Sequence, residues 1–470
     1  MKIANNVEAA AGPKEDTSDR NNRMFLVGLM APMMMIVSNM SMFRLTLPTI
    51  RDTFQIQADV TAWLVTAYSL PFMLFMPLYG RLGDELGKGR LFFTGISIFL
   101  VGTAVNLVTP TLGLLFLGRA IQGIGAAGVT PLCIALITDY FPIDQRGKSL
   151  GIWNSMGPIT GMAAPFLGGF LIEYVGWRTI FAFSLAAAVL SLFSVRRQVP
   201  HVYWRNSRSH VLRRFDWGGV VLLSLATMLL VFYTSSRPIT GIAALQDWRL
   251  LTLALLAFAG FIIWQKRGSN PFVTLAIFAN TNFTLASLSA AIRMFALNGI
   301  TFLMPLYLTD VHALRATSIG FLTTLHAGAL LATMMIGGHL ADRWNGRWPV
   351  VIGLVGQAGM IAYLAWLPGT AVLGLVIAGL AGHGMGAGLS LAALHRASMS
   401  KILPEQTGIA AGLYSMIRFS GTVLGVALGG VILQQGFDQS LAVIAAYQRV
   451  FSYLATVALC GVVLAWRLEE

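Results

Sequence analysis

Apolar stretches of about 20 residues recur along the whole chain. That is the length at which an α-helix spans the hydrocarbon of a bilayer. Fourteen are read, at 24–43, 60–79, 91–109, 112–138, 149–172, 177–195, 217–236, 249–265, 283–308, 317–338, 348–367, 371–394, 407–433 and 450–467. Glycines and prolines inside them are no objection, since membrane helices tolerate both. Charged residues make up 11% of the chain, against about one quarter of a soluble domain. This excludes an ordinary soluble enzyme, a disordered protein and a secreted disulfide scaffold. The expected fold class is an all-α membrane protein with 14 transmembrane helices.

Net charge is +13. In a soluble protein that would suggest nucleic acid, but here the basic residues fall between apolar spans and report topology. With the N-terminus in the cytoplasm, the cytoplasmic segments carry about 22 of the 32 Lys and Arg, the positive-inside pattern. The other side carries Arg44, Arg51, Arg178, Arg237, Arg249, Arg315 and Arg449. Both termini are then cytoplasmic, in the plasma membrane (the inner membrane of a bacterium). Residues 1–23 are polar and read as a disordered tail without a signal peptide. The loop 196–214 interleaves arginines with Tyr203 and Trp204, which suits anionic lipid headgroups better than nucleic acid. Cys133 and Cys460 lie inside spans and read as buried packing residues.

The chain also repeats itself. Gly80-Arg81-Leu82-Gly83-Asp84 matches Gly338-His339-Leu340-Ala341-Asp342, and Leu47-Pro48 matches Met304-Pro305. Gly123-Ile124-Gly125 matches Gly382-His383-Gly384, and Gly168-Gly169 matches Gly429-Gly430. The offset stays between about 257 and 261 residues. The expected organisation is a tail (1–23), an N-terminal six-helix bundle (24–195), a segment with a basic loop and two inserted helices (196–282), and a C-terminal six-helix bundle (283–470). Parallel repeats of this kind enclose a midplane site in transporters.

These residues resemble the major facilitator superfamily, most closely its fourteen-helix drug:proton antiporter branch. Gly80-x-x-x-Asp84-x-x-Gly87-Lys88-x-Arg90 resembles the family's first signature loop, and Arg119-x-x-Gln122-Gly123-x-Gly125 its second motif. Ala164-Pro165-x-x-Gly168-Gly169 resembles its antiporter signature, with alanine for the usual first glycine. Phe215-Asp216-Trp217-x-Gly219 and Arg418-x-x-Gly421 also fit the branch. The resemblance implies two rocking bundles. It implies a conformational latch around Gly80, Asp84, Gly87, Lys88 and Arg90, with a second copy at Asp342 and Arg343. It implies a coupling role for Arg119 and Gln122, and a cavity lined by the first, fourth, ninth and twelfth helices. The helix 1 position where the branch usually carries aspartate is Asn39 here, and an amide cannot exchange a proton at physiological pH.

Intramembrane charge is costly, at least about 2.5–3.5 kcal/mol on insertion scales, and faces a cavity or partner. Arg119 lies roughly 10 Å into its helix, at about 1.5 Å per residue. Arg293, near the middle of the ninth span, reads either as a cavity residue that attracts an anionic or carbonyl-rich substrate or as a group paired with helix carbonyls. Arg418 reads as an interhelical clamp among small residues. His326 and His383 read as coupling groups, since imidazole titrates near neutral pH, or as packing residues. No metal-ligand pattern, cofactor site or nucleophile–base pair is present in the sequence. The expected function is a secondary active transporter, a proton-coupled exporter of drugs or small organic molecules. Two alternatives stand beside it: export of an anionic metabolite, siderophore or lipid-like substrate, and a sensor without turnover. A periplasmic adaptor is a conceivable partner that no residue indicates.

Overall fold

A computed structural model of the protein describes residues 15–204, 215–268, 273–344, 346–403 and 406–469. Fourteen helices among them are long and apolar enough to cross a membrane: α1 (Asn22–Leu45), α2 (Ala58–Gly83), α3 (Lys88–Val108), α4 (Leu112–Tyr140), α5 (Ile143–Tyr174), α6 (Thr179–Gln198), α7 (Trp217–Thr234), α8 (Trp248–Arg267), α9 (Thr281–Asp310), α10 (Ala316–Ala341), α11 (Arg347–Trp366), α12 (Leu373–Met399), α13 (Ala410–Asp438) and α14 (Val443–Trp466). No strand occurs among the described residues.

Two details differ from the sequence reading. The first helix begins at Glu15, so residues 15–23 of the expected disordered tail are helical; residues 1–14 lie outside the described residues. The fourth span is two helical segments, Leu112–Ala126 and Val129–Tyr140. The interruption falls where Gly128 meets the Tyr79 ring so closely that a Cβ would sit 2.5 Å from Cδ1.

Helix pairing follows one plan twice. In the first bundle α1 packs on α5 and α6, α2 on α4, and α3 on α4 and α6. In the second, α9 packs on α13 and α14, α10 on α12, and α11 on α12 and α14. Lipid supplies no hydrophobic drive between helices, so small residues that let backbones approach decide such contacts. A Cβ on Gly125 would meet Phe99 and Gly95, and one on Gly386 would meet Gln357 and Gly353. The bundles meet along α2–α13 and α5–α10.

The inserted hairpin α7–α8 is held by Asp216, whose carboxylate caps α7 at Gly219 N (2.8 Å). It also accepts hydrogen bonds from Trp264 Nε1 (2.6 Å) and Gln265 Nε2 (2.7 Å) of α8. The Phe215-Asp216-Trp217-x-Gly219 motif is thus a helix cap that also staples the hairpin. Trp63 of α2 packs edge-on against Phe232 of α7. Cys133 is buried, while Cys460 is exposed on α14, so the packing role expected of both holds for Cys133 alone.

Candidate functional site

The two bundles are joined by polar contacts at the ends of the helices near Arg51. That residue lies on the short helix Leu47–Phe54 after α1. Its guanidinium makes two parallel hydrogen bonds of 2.7 Å to the Asp310 carboxylate at the end of α9. These bonds hold Arg51 above its ordinary pKa range. Tyr447 of α14 donates to the same carboxylate at 2.6 Å. Elsewhere on this face Glu173 of α5 accepts from Thr317 N of α10 (3.0 Å), with Arg315 nearby at 3.7 Å. Arg237 of the hairpin connection reaches Asp59 of α2 (3.2 Å) and Asp438 of α13 (2.5 Å), one carboxylate from each bundle. Toward the Gly87 face the described inter-bundle contacts include Phe72 against Phe419, with ring centroids 5.2 Å apart.

Between these levels lie two cavities. The larger, about 180 Å³, is lined by Arg44 and Ser41 of α1, Pro158, Gly161 and Pro165 of α5, Asn298 and Thr301 of α9, and Thr323 and His326 of α10, among others. The smaller, about 10 Å³, is lined by Arg44, Phe43, Tyr68, Arg119 and Thr422, among others. Arg44 faces both and donates to Asn298 Oδ1 of the opposite bundle at 2.5 Å. The sequence reading had placed Arg44 among the arginines outside the membrane. Instead, α1 runs on to Leu45 and carries Arg44 inside. No carboxylate lines either cavity among the described residues.

Arg119 is fully enclosed. It donates to Asn39 Oδ1 (3.0 Å), Gln122 Oε1 (3.0 Å) and the Leu64 carbonyl (3.3 Å). Its guanidinium also stands 3.8 Å from the Phe43 ring centroid and 4.4 Å from that of Tyr68, a cation–π contact. Around it, Asn39 donates to Ser184, Gln122 donates to Thr103, and Asn106 donates to Gln122. The charge therefore meets a shell of neutral acceptors, with the helix 1 amide in the middle.

Arg293 lines neither cavity and is 2% exposed. It donates from Nε and Nη2 to the Ala387 carbonyl of α12 (2.8 and 2.5 Å) and from Nε to Ser390 Oγ (3.1 Å). Of the two readings offered by the sequence, the pairing with helix carbonyls is the one observed here. Arg418 does not grip a neighbouring helix through hydrogen bonds among the described contacts. It stands over two rings of its own helix, Phe419 at 4.9 Å and Tyr414 at 6.0 Å.

His326 of α10 and His383 of α12 are not isolated. His326 Nε2 lies 3.0 Å from His383 Nδ1, and the rings stack at 15°. His383 Nε2 is in turn 3.3 Å from Gln357 Nε2 of α11, which also donates to the Arg293 carbonyl at 3.2 Å.

A sequence profile of the Major Facilitator Superfamily matches residues 29–286 and again 286–470. The chain belongs to the Major Facilitator Superfamily. It is similar to "Multidrug resistance protein Stp" of Mycobacterium tuberculosis, 29% identical over 425 residues, 89% of this chain and 78% of Stp. It is also similar to "Riboflavin transporter RibZ" of Clostridioides difficile, 26% identical, 85% of each chain. Among solved structures, a bacterial homologue of the human lysosomal transporter Spinster matches at a TM-score of 0.63 with 16% identity, over 97% of this chain and 98% of that one. That match speaks for the fold.

Within this superfamily fold the expected signature residues take these places. Pro165 lines the larger cavity, a Cβ on Gly168 would press on Met42, and one on Gly169 would lie 2.5 Å from the Ala316 carbonyl. Ala164 is buried, so the antiporter signature is the seam of α5 with α1 and α10. In the first loop Gly80 and Gly83 lie under Pro131 and Leu132 of α4, and Gly87 has φ +89°, a conformation open to glycine. Lys88 pairs with Asp139 at 2.5 Å, and Arg90 is exposed. The side chains of Asp84 and Asp342 lie outside the described residues; Arg343 is exposed, and the Ala341 carbonyl accepts from Arg396 at 3.0 Å.

Sequence reasoning missed Asn298, Gln357 and the Arg51–Asp310–Tyr447 cluster. The repeat carried one usable signal. A Cβ on Gly123 would meet the Tyr68 carbonyl, and one on Gly384 the His326 carbonyl. The same close crossing thus recurs in α2–α4 and α10–α12, which puts residue 383 beside residue 326. It pairs Gly123 with Gly384 and not with Gly382, which meets Met360, so the register of the repeat here lies two residues beyond the one read from the sequence.

Proposed function

We propose that this chain is a proton-coupled exporter of drugs or small organic molecules that works by alternating access. The observation that carries the reading is a mainly apolar cavity, faced by Arg44, Asn298 and His326, between two bundles that are tied together at one face. The larger cavity is smaller than the roughly 300–1,000 Å³ of a drug-sized pocket, so substrate entry requires the bundles to tilt apart. The identical pairing of α1–α6 and α9–α14 supports two copies of one unit that tilt as bodies, with boundaries at 24–195 and 283–467. The distribution of Lys and Arg supports assigning the Arg51 face to the outside, the Gly87 face and both termini to the cytoplasm, and the whole to the bacterial inner membrane. On that assignment the structure is closed to the outside, and the loop of Gly80, Asp84, Gly87, Lys88 and Arg90 forms the latch of the opposite state. Arg196, stacked over Trp204 at 4.9 Å, opens the basic loop toward anionic headgroups. Drug export is supported by similarity to the multidrug resistance protein.

The test is uptake into everted vesicles with an imposed pH gradient, reading ethidium as a lipophilic cation. Gradient-driven accumulation is the expected result, and accumulation unchanged on collapsing the gradient overturns proton coupling.

A second reading is export of an anionic compound. Arg44 on both cavities, with no carboxylate lining either among the described residues, favours it. Fluorescein-type anions in the same assay separate the two.

A further inference from the structure

Coupling to a proton gradient needs a group that gains and loses a proton near neutral pH, and the helix 1 position offers only the Asn39 amide. We propose that His326 and His383 together form the proton-binding site of this transporter, with the Gln357 amide as the element that senses its occupancy. The proposal rests on the reading of the chain as proton-coupled.

Three independent features of the geometry carry it. The pair bridges α10 and α12, two of the helices that pack most closely in the second bundle, so its charge is sensed by both. His326 lines the 180 Å³ cavity, so the pair is in contact with the space where substrate enters. Gln357 holds His383 and the backbone of α9 at once, through one amide nitrogen, and its own Oε1 is buried with no hydrogen-bond partner. An orphaned buried acceptor costs about 1–3 kcal/mol; it is an acceptor in waiting beside a ring nitrogen.

The proton balance is simple. In the observed orientation Gln357 Nε2–H donates to His383 Nε2, so His383 carries its hydrogen on Nδ1 and donates to His326 Nε2. An added proton goes to His383 Nε2. The ring then has two N–H donors, one toward His326 Nε2 and one toward Gln357. The amide turns to present Oε1, and the nitrogen that held the Arg293 carbonyl lets go. Proton arrival is thereby transmitted to α9, whose Asn298 and Thr301 line the cavity. One proton, not two, is accommodated, because two imidazoliums at 3.0 Å would repel. The charged side chains whose fields act directly on the pair are Arg44 of α1 and Arg293 of α9. From α11 the pair faces neutral Gln357. Tyr414 and Arg418 of α13 act on Arg293, and α5 contributes Met162 against Gly328 of α10. Arg44 and Arg293 are fixed charges, so an anion held at Arg44 and a proton on the pair favour one another, whereas a cation and the proton compete.

The test uses the full chain in lipid nanodiscs with 15N-labelled histidine. His326→Gln and His383→Gln spectra assign the two rings. A single proton shared by the pair between about pH 5 and 8, where imidazoles titrate, with that step altered in both variants, is expected. Two rings that titrate independently, or neither taking a proton above about pH 5, overturn the proposal. In the unsubstituted protein a 15N–15N correlation across the 3.0 Å contact between the two rings identifies the pair, so the titration decides the question even where a variant fails to insert. In proteoliposomes with ethidium as probe, His383→Gln is expected to lose at least about 10-fold of gradient-driven accumulation, one pH unit's worth of coupling, while keeping gradient-free exchange. Unsubstituted protein that moves ethidium but ignores the gradient overturns proton coupling as a whole. Unsubstituted protein that follows the gradient, with a His383→Gln variant that follows it equally, overturns the imidazole pair alone.

Discussion

The two bundles solve the problem of a charged group inside a membrane differently. In the first, Arg119 is buried in a shell of neutral acceptors, Asn39, Gln122 and the Leu64 carbonyl, and between the Phe43 and Tyr68 rings. In the second, Arg293 leans on one backbone carbonyl, and beside it lie two stacked imidazoles and a glutamine with an unused oxygen. The first centre keeps a constant charge near neutral pH, since its partners are amides, a carbonyl, a phenyl ring and a phenol, none of which titrates there. The second has a charge that can vary. Equivalent folds thus carry unlike side chains at their centres, and on the proposed role of the histidine pair anchoring falls to one half and switching to the other.

The comparison breaks most visibly at Arg119. Arg119→Ala takes the arginine donor from the buried Asn39 Oδ1, at about 1–3 kcal/mol, and removes the cation from between two rings. The expected outcome is a fall of several degrees in thermal unfolding midpoint in detergent and loss of transport by about 100-fold or more, about 2.7 kcal/mol or more. That loss should be equal at all pH values, and a pH-dependent loss would place the switch in the first bundle.

Asn39→Asp sharpens the contrast, because it puts a carboxylate against Arg119 and makes the first centre titratable. A new step in the pH profile of transport is expected, with preference moved toward cationic probes by roughly 10-fold, about 1.4 kcal/mol. An unchanged profile would mean that the helix 1 amide is out of reach of protons.

Arg44→Gln tests the cavity that both centres border. Uptake of an anionic fluorescein probe should fall by roughly 5- to 10-fold relative to ethidium, about 1 kcal/mol or more, with the unfolding midpoint little changed. The smallest effect is expected outside both centres. Tyr447→Phe removes one of the three hydrogen bonds on Asp310 and leaves the paired Arg51 in place. The net contribution of such a bond is about 1 kcal/mol. Spin-label distances across the Arg51 face should show a shift of about 5-fold toward separation, with no change in pH profile.

Much of this architecture is legible along the chain because a bilayer imposes a local rule. Each span announces itself by length and apolarity, and the signature residues occur in the order the superfamily requires. The expected span limits differ from the observed helices by a few residues in most cases, and Arg44 shows the consequence. A helix two residues longer than expected moves a guanidinium from the outer surface to the central cavity. The polar residues of the site were also legible as types, but their partnerships were not. Asn39 and Arg119 are 80 positions apart, His326 and His383 are 57 apart, and Gln357 lies between the two histidines with nothing to mark it.

By itself the sequence determined that the chain is a bundle of membrane helices of the superfamily type, because hydropathy and glycine spacing act within one helix or between neighbours in a repeat. Only the tertiary structure decided that Arg44 faces inward, that Arg293 turns to a carbonyl, and that two histidines meet. Those outcomes depend on helix rotation and on which neighbour offers an acceptor at about 3 Å, and neither is written in any single stretch of residues.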